Sequence, residues 1–190
     1  MLESIQNLYN NLLVATEDHR VISLQAIIAT MYVLALASSL YRALKNREHF
    51  SDFLSIASVV VKYALTSLLM EYVLIFIAEN KSIGNTQHIY LVASLINVLS
   101  IYFLYYLHTK FSYKFGNLFF CVIKLTTLLS FAHLILWFKL VVLNIQEEHA
   151  YVHYIYSFIV LYVSIALAIV MLFPRLLKTK LKVLVSPSWP

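Results

Sequence analysis

Four ionisable side chains stand inside long apolar runs of this sequence: Lys62, Glu71, Lys124 and His133. A charge at the centre of a bilayer costs roughly 2.5–3.5 kcal/mol on insertion scales, so such groups reach back to the headgroups, pair, or line a route for protons and ions. Lys62 and Lys124 fall about ten and about seven residues into their runs, within reach of the headgroups for a long flexible stem. Both are expected to snorkel. Glu71 is too short to do so. At ~1.5 Å per residue, Glu71 lies roughly 27 Å along its run, His133 roughly 22 Å and Lys139 about 31 Å along theirs. Asn97, midway along the run between them, falls at a similar level. A layer of Glu71, Asn97, His133 and Lys139 is therefore expected. It would pin helix packing, line a proton or ion pathway, or meet another subunit. Lys62 is not expected to pair with Glu71, because nine residues place the two on opposite sides of one helix.

Seven histidines are present, most of them at the ends of apolar runs or between them. His149 and His153 share a helical face at a metal-capable spacing, beside Glu148. Two ligands fall short of a closed site, so no metal, haem or other cofactor is expected. Cys121, the single cysteine, lies in an apolar run and reads as a small buried hydrophobe. No phosphate-binding loop, dinucleotide fingerprint, nucleophile elbow, HExxH, CxxC pair or potassium-filter sequence occurs. Nothing here would carry catalysis, and the expectation is a protein that is not an enzyme.

The elements that position these groups follow from composition. Of 190 residues, 62% are hydrophobic and 12% carry a formal charge. A soluble domain averages roughly 45–50% apolar and about 25% charged. The excess suits a chain whose apolar surface faces lipid. A spanning helix needs ~20 mostly apolar residues, and five runs qualify, at 21–44, 53–78, 88–107, 118–143 and 151–173. The fold expected is all-α: a polytopic membrane helical bundle of about five transmembrane helices, forming a single membrane domain over 1–190. Open strands are excluded, since lipid cannot satisfy a sheet edge. Glycine occurs only at Gly84 and Gly116, both between runs, so the helices should be continuous and unbroken at mid-membrane. Leu2, Ile5, Leu8, Leu12 and Leu13 recur at helical spacing and predict a short amphipathic N-terminal helix in place of a cleavable signal. Tyr41, Phe50, Phe53, Tyr90, Tyr105, Tyr106, Tyr151 and Tyr154 fit an interfacial belt.

Charge gives the direction. Arg42, Lys45, Arg47, Lys110, Lys114, Arg175, Lys178, Lys180 and Lys182 fall on one side of a five-span bundle. The other side carries mainly Glu3, Glu17, Asp18, Glu79, Glu147 and Glu148. Basic loops stay in the cytosol, which predicts an outer N-terminus and a cytosolic C-terminus. The basic face should meet anionic lipid headgroups, each cation contributing ~1 kcal/mol near the surface. In the tail at 174–190, Leu181, Val183, Leu184, Val185 and Trp189 form an apolar element able to dock a cytosolic protein. Direct nucleic-acid binding is not expected.

The function expected first is a subunit of a bacterial inner membrane that anchors or homo-oligomerises and recruits a cytosolic partner. Size and layout resemble membrane components of multi-gene systems such as anti-phage defence or envelope-stress sensing. The alternative is an ion or proton channel or transporter subunit working through the Glu71 layer.

Overall fold

The computed structural model describes residues 24–46, 49–80, 87–145, 151–179 and 185, and among these it omits the side chains of 24, 25, 70, 71, 73, 74 and 76–80. The expected N-terminal amphipathic helix, Arg47, Lys180, Lys182, His149 and the side chain of Glu71 lie outside the described residues.

The apolar runs form five helices: α1 (Leu24–Leu44), α2 (Phe50–Asn80), α3 (Ile89–Leu107), α4 (Asn117–Trp137) and α5 (Tyr151–Leu172). Among the described residues there is no strand. Five helices are long and apolar enough to cross a membrane, the architecture of a multi-pass integral membrane protein. The expected runs and the helices agree within a few residues at each end, and each helix is unbroken across its apolar stretch, as the scarcity of glycine requires. Pro174, which lacks the N–H needed to extend α5, opens a 3-10 turn over Pro174–Lys178.

Helices α3 and α4 continue into single π turns, His108–Ser112 and Phe138–Val142. The first closes with Tyr113 N–H donating to His108 O, at 2.9 Å, and the second with Leu143 N–H donating to Phe138 O, at 3.0 Å. Tyr113 and Asn144, beside these closures, adopt left-handed backbone with φ of 54° and 53°. A left-handed residue is the usual way to turn the chain off a helix and satisfy its last carbonyls.

Each helix packs on its sequence neighbours, α5 returns to α1, and α2 also reaches α4, which lies innermost. The core gathers Ile28, Tyr32 and Ala35 of α1, Ile56 and Val59 of α2, Leu104 of α3, Leu118, Phe119, Cys121, Val122 and Leu125 of α4, and Val163, Ala166, Leu167, Ala168, Val170 and Met171 of α5. The outward faces expose Val33, Leu34, Val61, Leu65, Leu99 and Phe131, the pattern of a surface that meets lipid. Tyr41, Phe50, Tyr105, Tyr106 and Tyr151 of the expected belt are exposed near helix ends.

Two sets of contacts show which helix ends lie together. Arg42, at the end of α1, donates to Met171 O and Leu172 O at the end of α5, at 3.5 Å each, and to Ser38 Oγ at 2.7 Å. Ser51, at the start of α2, meets His108 at the end of α3 and Gly116 just before α4. Lys45, Lys110, Lys114, Arg175 and Lys178, all exposed, follow or precede these same helix ends.

Candidate functional site

Helix α2 carries Ser51, Ser55, Ser58, Lys62 and Thr66, spaced by three or four residues and so aligned on one face. Facing it, α3 offers Asn97, Ser100 and His108, and α4 offers Thr126. The polar seam within the bundle is built from these three helices.

Lys62 is its centre. Its side chain turns into the bundle and is only 8% exposed. Nζ donates to Asn97 Oδ1 at 3.1 Å and to Thr126 Oγ1 at 3.4 Å. The snorkelling expected for Lys62 is thus replaced by inward hydrogen bonding to two neighbouring helices. The Asn97 amide is oriented to accept from it, because Nδ2 donates to Ala93 O at 2.8 Å and leaves Oδ1 for the lysine. The only carboxylate among the described side chains is Asp52, near the start of α2. Lys62 is therefore held by an amide and a hydroxyl.

Depth favours Lys62 over Glu71 as the mid-membrane group. With Phe50 at one boundary, Lys62 stands ~18 Å along α2 and Glu71 ~32 Å, at 1.5 Å per residue. If a hydrocarbon core of about 30 Å begins at Phe50, the first stands near its middle and the second at its far edge. The two are ~13.5 Å and half a turn apart on the helix. Asn97, expected at the level of Glu71, is bonded one layer away, at Lys62. Beside Lys62 lies a recess of about 10 Å³, lined by Ser58, Ser100, Thr126, Val59, Ile101, Leu104 and Val122.

Beyond Lys62, the hydroxyl oxygens of Ser94 of α3 and Ser130 of α4 stand 2.9 Å apart, and each also lies within bonding reach of the other's carbonyl, at 3.1 and 3.2 Å, so that two hydroxyl hydrogens serve three contacts. Small side chains let these two backbones approach without glycine. His133 follows one turn later on α4. Its Nδ1 donates to Leu129 O at 2.7 Å, and its ring meets Tyr156 edge-on at 5.4 Å. Tyr156 in turn meets Tyr90, at 5.6 Å. Lys139, fourth member of the expected layer, is buried on the π turn at the end of α4.

Searches against protein-family models, curated proteins and solved structures return no match for this chain. The site must be read from its own geometry.

His108, one residue beyond the third expected run, is fully buried. Nδ1 donates to Leu104 O at 2.9 Å. Nε2 faces Ser51 Oγ and Ser51 O, each at 3.1 Å, and Ser55 Oγ at 3.3 Å. Ser51 Oγ accepts from Gly116 N at 3.1 Å, and Ser55 Oγ donates to Ser51 O at 2.9 Å. A neutral ring accepts at Nε2 from the Ser51 hydroxyl. A protonated ring donates from Nε2 to Ser51 O. Nε2 thus faces both a hydroxyl able to donate to it and a carbonyl able to accept from it. Phe119 covers the ring, its centroid 4.4 Å away. The signal in the sequence was spacing: Asn97, Leu104 and His108 fall on one face of α3.

On the basic face, Arg42 is half-buried and caps α5, whereas Lys45 lies 4.5 Å over the Tyr41 ring and Lys110 lies 5.7 Å over that of Tyr106. Of the apolar tail residues, Val185 is described. It packs against the bundle core, its carbonyl 3.5 Å from Cys121 Sγ. Among the described residues no group of three or more His, Cys, Asp or Glu side chains is placed to hold a metal.

Proposed function

We propose that this chain is a non-enzymatic subunit of a bacterial inner membrane that handles small ions or protons through Lys62. One observation carries the reading: an amine near mid-depth is turned inward and held by neutral partners, Asn97 and Thr126. A buried cation whose only role is packing is readily replaced by an apolar side chain. Intramembrane ionisable groups are retained where they mark a substrate or ion route. The working layer is Lys62, Asn97 and Thr126, with Ser94, Ser130 and His133 continuing it toward one end and His108 toward the other.

The orientation proposed is N-terminus out and C-terminus in the cytosol, since basic loops are retained there. The test is reconstitution in liposomes under an imposed ion gradient. Wild-type protein should dissipate the gradient, and Lys62→Met should not. Equal flux from both would remove Lys62 from the mechanism.

A second reading has its own observation, the exposed cations Lys45, Lys110, Lys114, Arg175 and Lys178 beside adjoining helix ends. In it the chain anchors or oligomerises and recruits a cytosolic partner or anionic lipid. Removing Lys178–Pro190 should then leave insertion intact and abolish co-purification of that partner. Accumulation failing in the truncated chain would instead assign the tail to the fold, a role that the contact of Val185 with Cys121 favours.

A further inference from the structure

We infer that the ion handled at Lys62 is the proton, and that one water in the recess beside Lys62 connects it to His108 near the basic helix ends. This rests on the reading of Lys62 as the working charge.

Size decides the species. The recess measures about 10 Å³. A single water needs roughly 10–15 Å³ on the same measure. The recess as it stands has room for one water, and a metal cation there would meet the positive charge of Lys62. A water there has polar walls: the ammonium of Lys62 and the hydroxyls of Ser58, Ser100 and Thr126. An ammonium has three hydrogens to donate. Two have acceptors in Asn97 and Thr126, and the third is available to the water.

Connection decides the route. The recess reaches Leu104, whose carbonyl accepts from His108 Nδ1 at 2.9 Å. One turn of α3 therefore separates recess from imidazole. On α2 the hydroxyls continue the same step, Ser58 at the recess and Ser55 at 3.3 Å from His108 Nε2. In transfer, an N–H bond of the Lys62 ammonium breaks and an O–H bond forms on the water, leaving the neutral amine. The excess proton passes by way of Ser58 to Ser55, one turn apart on α2, whose hydroxyl turns from Ser51 O to Nε2, and forms the Nε2–H bond of His108, whose Nδ1 already holds a hydrogen. Asp52, whose Oδ1 lies 2.9 Å from where a Cβ on Gly116 would stand, is the carboxylate beside this end of the seam. Net transport requires Lys62 to take its next proton from the opposite end of the seam, where Ser94, Ser130 and His133 lie, so that each cycle carries one proton past Lys62.

The experiment uses the full chain in liposomes loaded with a pH-sensitive dye, with potassium and valinomycin setting the potential. Wild-type protein should acidify the lumen. Ser58→Val, which fills the recess, and His108→Gln, which keeps a polar group but no titrating ring, should each slow this by about 10²-fold or more. Passage of sodium, potassium or chloride without protons overturns the proton assignment and leaves the reading of Lys62 standing. Passage of no ion overturns both. Undiminished proton flux through folded Ser58→Val and His108→Gln overturns the route. Nitrogen NMR of wild-type protein labelled at lysine needs no variant: Lys62 should interconvert between ammonium and amine as bulk pH rises, and an ammonium at every pH overturns the proposal.

Discussion

The two halves of the bundle are held together differently. In α1 and α5 the buried residues are mostly apolar, Ile28, Tyr32 and Ala35 in the first and Val163, Ala166, Leu167, Ala168, Val170 and Met171 in the second, with Ser39 of α1 the buried polar side chain among them. Tyr32 OH bonding to Ser164 O at 3.2 Å and Arg42 at the helix ends add polar ties. Where α2, α3 and α4 meet, buried polar side chains run along the seam: Ser51, Ser55, Lys62, Ser94, Asn97, His108, Thr126 and Ser130. Lipid tails are as apolar as leucine, so helices in a membrane associate by close packing or by hydrogen bonds. The α1–α5 contact demonstrates that this chain can join helices by packing. The other half instead sets an amine among an amide and a hydroxyl, the observation behind the role proposed for Lys62.

Substitutions can break or sharpen this contrast. Asn97→Leu should have the largest effect on stability. It removes the nearer acceptor of Lys62, leaves Thr126 at 3.4 Å, and strands a buried donor at a cost of about 3 kcal/mol. Denaturant unfolding in mild detergent measures it, and pairing it with Lys62→Met should recover most of the loss. Ala168→Leu tests the packed half. The site is fully buried, and overpacking there should cost about 2 kcal/mol while ion flux per folded molecule stays at the wild-type level. Ser94→Ala should be mildest, about 0.6 kcal/mol, as is typical of one interhelical hydrogen bond in a membrane. A costless Ala168→Leu beside a severe Ser94→Ala would reverse the comparison.

The helices were legible in the sequence because membrane spans are set by one strong signal, uninterrupted apolarity over ~20 residues. Composition, continuity without glycine and the end of the last run at 173 all carried through. The polar seam was harder to read for two reasons. Each serine or threonine is unremarkable in a membrane helix, and only their joint spacing at 51, 55, 58, 62 and 66 marks a face of α2. Depth alone cannot say whether a lysine stem turns toward headgroups or inward. That choice for Lys62 depends on Asn97 and Thr126, from helices 35 and 64 residues away in the chain. Asn97 stood out by its mid-span position, but its partner was sought at the level of Glu71. His108 was placed at a boundary, and the π turn that continues α3 past it, with Phe119 covering its ring, buries it. Arg42 shows the same limit: its charge placed it on a basic face, and its geometry gives it the carbonyls of α5.

The thermal midpoint of Lys62→Met, compared with wild type in the same detergent, tests most directly whether Lys62 serves work or architecture. Removing a mid-membrane charge returns roughly 2.5–3.5 kcal/mol on insertion scales. Leaving Asn97 Oδ1 without its donor costs about 1–3 kcal/mol. The two nearly offset, so the variant should melt at or above the wild-type temperature even as its flux disappears. A midpoint several degrees lower would make Lys62 a structural pin and contradict the account.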